Sequence, residues 1–549
     1  MKRGTFSVVV MAFLAMFSFG CKDGRNSSSM PSPLGLDEIT VNGELKFRLM
    51  QNIDRLKADK YQPANVFLTE EQSGGWPGDT EGRTILALVC DAAALHETSP
   101  QLQQIIDAVP SHLNSLGYMG PEYGDVLNEQ QLSGNGWMLR GLCAYYDMSS
   151  DKRALDWIRT ISENLFLKGK GLYKDYPIDP SKRVTGQGAE SGNIHDVSGR
   201  WMLSTDTGCV FIGMDGLIDA YRLVGTPQMK EVIEEMLSRF LEMDLVAIQA
   251  QTHASLTACR GLVRYSELTG DRRWIDEALK RWQTYKEYGM TENYENYNWF
   301  GRYDTWTEPC AIVDSYILAL KLWQHTGDSG FLKDAQLIYY NALCHTQRAN
   351  GGFGCDSCPG EASGPELTVK TDEAHWCCTM RGAEGLSTAA ACAWMRDGDT
   401  FYVTTMRPMS VSTEGLELEA FTDYPFEGLF ALDVNKNTLG KNVKVKLYIP
   451  EWVQPGILEH DGKKLPVKVG KDGFLTLDDL KPNDKIILEY SYTPRQEPVM
   501  NVHNTKPGQV RYFNGPFILS EEGKPIYHLM DTSVTKKSGY HHQIVFNGF

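Results

Sequence analysis

From about residue 40 to 400 one unit recurs along the chain: a helix with apolar periodicity, a short turn, and a second such helix. The turns are Tyr146-Asp147-Met148-Ser149-Ser150-Asp151-Lys152, Tyr221-Arg222-Leu223-Val224-Gly225-Thr226-Pro227, Tyr265-Ser266-Glu267-Leu268-Thr269-Gly270-Asp271 and Leu322-Trp323-Gln324-His325-Thr326-Gly327-Asp328. In the last three a glycine is expected to close one helix in the left-handed conformation, and the Thr or Asp after it to cap the next. The hairpins return at irregular intervals, without the fixed period of a solenoid, which predicts a closed toroid of paired helices. Near residue 400 the pattern changes to short β-rich runs, among them Phe401-Tyr402-Val403, Val443-Lys444-Val445-Lys446-Leu447 and Lys485-Ile486-Ile487-Leu488, separated by turn signals such as Asp461-Gly462 and Asp472-Gly473. The expected organisation is an α-toroid over 41–398, a β-sandwich over 399–500 and a C-terminal β segment over 501–549.

The amino end reads as an export signal. Lys2 and Arg3 precede an apolar run from Phe6 to Phe19, too short to span a membrane, and Gly20-Cys21 has the form of an imperfect lipobox. Residues 1–20 are therefore expected to be a signal peptide and 21–40 a lipidated cysteine with a flexible tether, which places the protein outside the cytoplasm and anchors it to the outer membrane through lipid alone. A formal charge of -16 argues against nucleic acid and anionic membranes as partners. A neutral glycan suits this balance, and 12 Trp and 25 Tyr supply faces on which sugars stack.

Six of the twelve cysteines, Cys90, Cys143, Cys209, Cys259, Cys344 and Cys392, sit singly in apolar helical patterns and read as small buried hydrophobes. The others carry chemistry. Adjacent Cys377 and Cys378 do not readily bridge one another, because a disulfide needs a specific geometry between the β-carbons. Two neighbouring thiols suit a soft metal instead. Upstream, Thr307-Glu308-Pro309-Cys310-Ala311 puts a carboxylate and a thiol two residues apart, so that an extended segment would aim both to one side. Glu308, Cys310, Cys377 and Cys378 together make a zinc-type ligand set. A rival pairing is Cys355-Asp356-Ser357-Cys358 with Cys377-Cys378 as a zinc ribbon, and a Cys355–Cys358 disulfide is a further alternative in an oxidising compartment.

With both cysteine segments in view, the chain resembles glycoside hydrolase family 127, the β-L-arabinofuranosidases and their relatives. The likeness rests on Glu308-Pro309-Cys310-Ala311 and Cys377-Cys378, supported by Trp76-Pro77-Gly78-Asp79, His253-Ala254, Ile449-Pro450-Glu451-Trp452 and Gly515-Pro516-Phe517. The resemblance implies an (α/α)6 toroid followed by β-sandwich modules. It also implies a retaining exo-glycosidase with Zn2+ as cofactor, Cys377 as nucleophile and Glu292, 16 positions before Glu308, as acid/base. Glu295 is the local competitor for that last role. Zinc would supply the thiolate without a separate base. His253, Trp76, Arg83 and Trp306 are the expected substrate contacts, Trp306 as part of an aromatic cluster with Tyr294, Tyr297, Trp299, Phe300 and Tyr303. Asp304 is a weaker candidate for a conventional carboxylate pair. The chain departs from the family pattern at Asn135, where a His is usual, at Met214-Asp215-Gly216, and at Arg381, where Asn is common.

Two other functions compete. One keeps the mechanism and changes the sugar to an acidic branched residue of pectin, with Arg83, Arg302 and Arg381 as the groups that would bind its carboxylate. The other is a surface glycan-binding lipoprotein without catalysis, which needs no zinc.

Overall fold

The computed structural model describes residues 30–67, 75–183, 191–358, 368–440, 442–500, 503, 509–521, 530–531 and 540–542. The expected signal and lipid-attachment site lie outside them. No helix among the described residues is long and apolar enough to cross a membrane.

Among the described residues, twelve helices of nine or more residues build the first part: α1 (Gly43–Arg55), α2 (Asp79–Leu95), α3 (Pro100–His112), α4 (Glu129–Ser149), α5 (Lys152–Ile161), α6 (Val210–Val224), α7 (Pro227–Glu242), α8 (Thr252–Thr269), α9 (Arg273–Tyr288), α10 (Pro309–Thr326), α11 (Gly330–Ile338) and α12 (Cys378–Ala391). The even-numbered helices α2, α4, α6, α8, α10 and α12 each touch the next, and α12 returns to α2. This closes the ring expected from the hairpins. Outside it, α3, α5, α7, α9 and α11 each pack on the preceding inner helix, while α1 packs on α12, so the first helix completes the last hairpin. The inner helices are apolar or buried almost all round, whereas outer helices such as α5 bury one stripe, at Ala154, Ile158 and Ile161.

Glycine allows the tightest part of the ring. A Cβ at Gly136 of α4 would lie 2.5 Å from Gly213 Cα of α6, and one at Gly216 would lie 2.2 Å from Gly136 O. The turn glycines mostly behave as expected: Gly270 and Gly327 close their helices at φ 73° and 71°. Gly225 does not. Its φ of -51° and ψ of 131° are extended, because Thr226 already caps α7 through the Met229 amide and Pro227 stands at the first helical position.

Beyond the toroid, a seven-stranded antiparallel sheet runs in the order Lys463–Leu465, Val453–His460, Lys485–Tyr492, Leu429–Asn437, Leu416–Thr422, Met409–Thr413, Ile39–Val41. A five-stranded sheet runs Ser32–Pro33, Trp394–Asp397, Thr400–Val403, Lys444–Tyr448, Phe474–Leu477. Alternation decides the faces. Leu416–Thr422 buries Leu416, Leu418, Ala420 and Thr422 in turn. The expected tether over 21–40 needs correction at its end, because Ser32–Pro33 and Ile39–Val41 are edge strands of these two sheets. Ile39 and Val41 of the second strand and Leu34 just after the first are buried and account for it. A third sheet contains Arg495–Pro498, Gln509–Asn514 and Phe517–Glu521 and meets the toroid where Asn341 bonds Pro516 O and the Ile518 amide.

Candidate metal centre and active site

Because an antiparallel outer helix separates successive inner helices, the inner six run the same way and their N-termini gather at one end of the ring. Polar residues mark that end: Asp79 opens α2, Asn128 caps α4, Asp206 precedes α6, Gln251 caps α8, Glu308 caps α10 and Cys377 caps α12. Exposed amides and the positive ends of the helix dipoles favour negative charge there.

The four expected metal ligands meet at this end. The Glu308 carboxylate and the sulfurs of Cys310, Cys377 and Cys378 lie within 4.8 Å of one another. Cys377 Sγ and Cys310 Sγ are 3.2 and 3.6 Å from Cys378 Sγ. The segment Glu308–Cys310 is not extended as expected but turns into α10, with Pro309 starting the helix and aiming both donors into the ring. Gln251 Nε2 holds Glu308 Oε2 from the side at 3.5 Å.

Burial and the charge on Cys310 push the Glu308 carboxyl well above its ordinary range. Among the sulfurs, burial opposes ionisation of Cys310, but hydrogen bonds from Cys377 and Cys378 and the charge of Arg83 outweigh it and hold this thiol well below the usual range. Cys377 is pushed up by its bond to Cys310. Three buried sulfurs and a carboxylate converging at helix N-termini fit a thiophilic divalent ion of the zinc type.

Arg83 and His253 lie close against this cluster. Arg83 Nη1 donates to Cys310 Sγ at 3.4 Å, its Nε and Nη2 bind Asp79 at 2.6 and 3.0 Å, and the guanidinium lies 4.1 Å over the Trp137 ring. His253 Nδ1 is 2.8 Å from Asp314 Oδ2, which orients the imidazole and turns Nε2 towards Arg83 Nη2 at 3.4 Å. Asp314 is held far below the usual carboxylate range, against burial, by Arg381 and Arg260. Both Arg83 and His253, expected to touch substrate, are therefore buried and bound to protein groups.

Trp76 and Trp306 are half-buried, with Lys370 Nζ 4.6 Å over Trp306. Tyr294, Tyr297, Trp299 and Phe300 are buried, so most of the aromatic cluster is wall. Arg381 is fully buried and paired with Asp314 and Glu384, and Arg302 lies 4.6 Å over Trp299, which leaves neither presented to an acidic sugar. Asp304 is exposed beside Arg302. Asn135 is a buried brace that binds Pro77 O and Met119 O.

Glu292 is not among the groups gathered at the cysteines. Its Oε2 accepts from the Met500 amide at 2.8 Å and lies 3.3 Å from Arg511 Nε, towards the C-terminal sheet. Glu295 is fully buried beside His345 and Asp356, and burial and the Asp356 charge push it well above the ordinary range. Cys355 and Cys358 are not joined in a disulfide, and the six isolated cysteines are buried thiols as expected. Cys355 neighbours Cys378, whereas Cys358 donates to Asn296 O, so the two do not form one knuckle. Asp206 was not singled out from sequence. It is buried, accepts from Ser191 Oγ at 2.7 and 2.9 Å, is pushed up to about 6 by burial, and bears with its charge on Glu308. Its position just ahead of an apolar helix is the one signal that would have found it.

Residues 401–492 match the family model described as Beta-L-arabinofuranosidase, GH127 middle domain. That β region is similar to a GH127 middle domain. The fold as a whole is similar to that of a GH127 β-arabinofuranosidase, at 14% identity over 90% of this chain and 86% of that one, with a TM-score of 0.65. It is also similar to a GH127 β-L-arabinofuranosidase from Geobacillus stearothermophilus T6, at 13% identity over 88% of this chain and 86% of that one, with a TM-score of 0.62. No curated protein matches the chain by sequence. At these identities the structural likeness is one of fold, and with the middle domain it supports a divergent GH127 member and a glycoside hydrolase by class.

Proposed function

We propose that the protein is a retaining exo-glycosidase, β-L-arabinofuranosidase-like, in which Cys377 is the nucleophile and Glu308, Cys310, Cys377 and Cys378 hold Zn2+. One observation carries this reading: of the three clustered cysteines only Cys377 keeps any exposure as a residue, at 8%, while Cys310 and Cys378 are at 0%. When bound, zinc would deprotonate the thiols, so no separate base is needed. Cys377, outside the first turn of α12 and next to the exposed Trp376, is the sulfur a sugar can reach. It would attack the anomeric carbon and form a glycosyl-cysteine as the leaving oxygen departs with a proton from a carboxylic acid. The same carboxylate would then take a proton from water as it displaces the sulfur, giving retention in two steps. Glu292 remains the proposed acid/base on the strength of its spacing from Glu308.

Cys378 and Cys310 stay as ligands throughout, and Arg83 offsets the negative charge of the cluster from beneath. The substrate is a terminal sugar of a plant-type glycan, and the protein is exported and lipid-anchored at Cys21. An epoxide or haloacetamide analogue of the sugar, followed by peptide mass spectrometry, tests the reading. Label on Cys377 with the metal retained is expected. Label on Cys378, Asp304 or Glu308 overturns the mechanism.

A further inference from the structure

We infer that Glu295, His345 and Asp356 form a second metal site, for a divalent ion of the zinc class, distinct from the cysteine cluster. The three come from separate segments, the loop after α9, the helical turn Cys344–Thr346 and the strand Asp356–Ser357, and are 0%, 3% and 0% exposed. Their donor atoms lie within 4.8 Å of one another. His345 Nε2 is 3.2 Å from Asp356 Oδ2 and 4.0 Å from Glu295 Oε1. Ligands about 2.0–2.1 Å from a tetrahedral ion stand roughly 3.3 Å apart, close to the shorter of these separations.

These carboxylates are thinly satisfied for buried groups. Neither Glu295 oxygen, nor Asp356 Oδ2, has a donor in good hydrogen-bonding geometry: Thr307 and Asn293 lie close enough to act on the Glu295 carboxyl, and Asp356 Oδ2 meets His345 Nε2 at 3.2 Å. Arg348 takes only the other oxygen of Asp356, Oδ1, at 2.6 Å. Two carboxylates and the Arg348 guanidinium leave one negative charge in the interior, which a metal ion, a proton on Glu295 or a protonated His345 has to balance. Lone pairs converging from three side chains favour the cation. Calcium takes six to eight oxygens and magnesium keeps several waters, whereas this cluster offers two carboxylates and an imidazole nitrogen. One imidazole with two carboxylates suits zinc or its neighbours.

The site would also steady the first one. The Thr307 amide donates to Asp356 O at 2.8 Å, and the Asp356 amide donates to Thr307 Oγ1 at 2.9 Å, one residue before the ligand Glu308.

Elemental analysis of the purified full chain tests this independently of the cysteine reading. The native protein should hold two equivalents of metal, Cys310→Ala one, and His345→Gln one. If the cysteines bind none, the native protein should hold one equivalent that Cys310→Ala keeps and His345→Gln loses, which still supports the second site. Metal content unchanged in His345→Gln overturns it and leaves a proton as the counter-charge. Should His345→Gln fail to fold, the near-isosteric Glu295→Gln serves in a cobalt-loaded protein: cobalt content should halve while the intense thiolate-to-cobalt absorption stays. Full cobalt content in Glu295→Gln overturns the proposal.

Discussion

The guanidinium of Arg83 donates to the sulfur of Cys310 at 3.4 Å while Asp79 grips its other edge. A planar fork is needed for both contacts at once, and lysine does not provide one. Arg83→Lys is expected to weaken zinc binding or turnover by about 10–100-fold, the usual cost of losing a residue that supports metal ligands. Competition with a chromophoric chelator measures the first, and unchanged affinity with unchanged kcat would remove Arg83 from the site.

Glu373 ties the segment ahead of the cysteine pair to the first helix. It accepts from Tyr61 Oη at 2.6 Å, Arg55 Nε at 3.0 Å, Thr379 Oγ1 at 3.0 Å and Lys60 Nζ at 3.1 Å. Against burial, Arg55, Tyr61 and Lys60 hold its carboxyl down to about 2. Because the folded value lies below the unfolded one, the stabilisation is complete above about pH 4.5 and is lost as pH falls towards 2. Glu373→Gln should lower unfolding free energy by about 2–3 kcal/mol at pH 7, and the difference from native should shrink on acidification. Denaturant titrations at several pH values read it directly.

Glu292→Gln should reduce kcat by about 10²–10⁴-fold if this residue is the acid/base. The loss should be smaller with aryl glycosides whose leaving groups need no proton. If Glu295→Gln shows this leaving-group pattern and Glu292→Gln behaves as native, the spacing argument from Glu308 has picked the wrong carboxylate.

Gly216→Ala inserts a methyl carbon 2.2 Å from Gly136 O, where the neighbour is backbone and has little freedom to retreat. A destabilisation of about 1–3 kcal/mol is expected from overpacking. Gly270→Ala, with open space around it but a φ of 73°, should cost less than about 2 kcal/mol, through backbone strain alone. Thermal unfolding of the pair separates the two effects.

The ring and the sheets were legible because apolar periodicity is local: the runs that became α4, α8 and α10 carry their own stop signals at Ser149-Ser150, Gly270 and Gly327. The four-ligand cluster was legible because each half is contiguous in sequence. What sequence did not reveal was which groups the ring would close upon. Arg83, His253 and Arg381 look like substrate ligands in one dimension, but Asp79 and Glu384, one helical turn away on the same helices, and Asp314, from a distant stretch, claim them in three. Asp206 and the Glu295–His345–Asp356 group escaped for the same reason, since nothing in their spacing announces that they meet.

The strand Ile39–Val41 pairs with Met409–Thr413, Ile39 lying opposite Val411. Synthesis runs from one end to the other, at about 5–20 residues per second. The early strand must therefore wait roughly 20–75 s, while the whole ring is being made, before its partner exists. The last hairpin waits too, because α12 finds its outer companion in α1. A ribosome-bound chain thus has an open ring and an unclaimed apolar edge at Leu34, Ile39 and Val41. Any handling of the nascent protein by chaperones would centre on its first stretch, and truncation there would leave both the ring and the sheets unsealed.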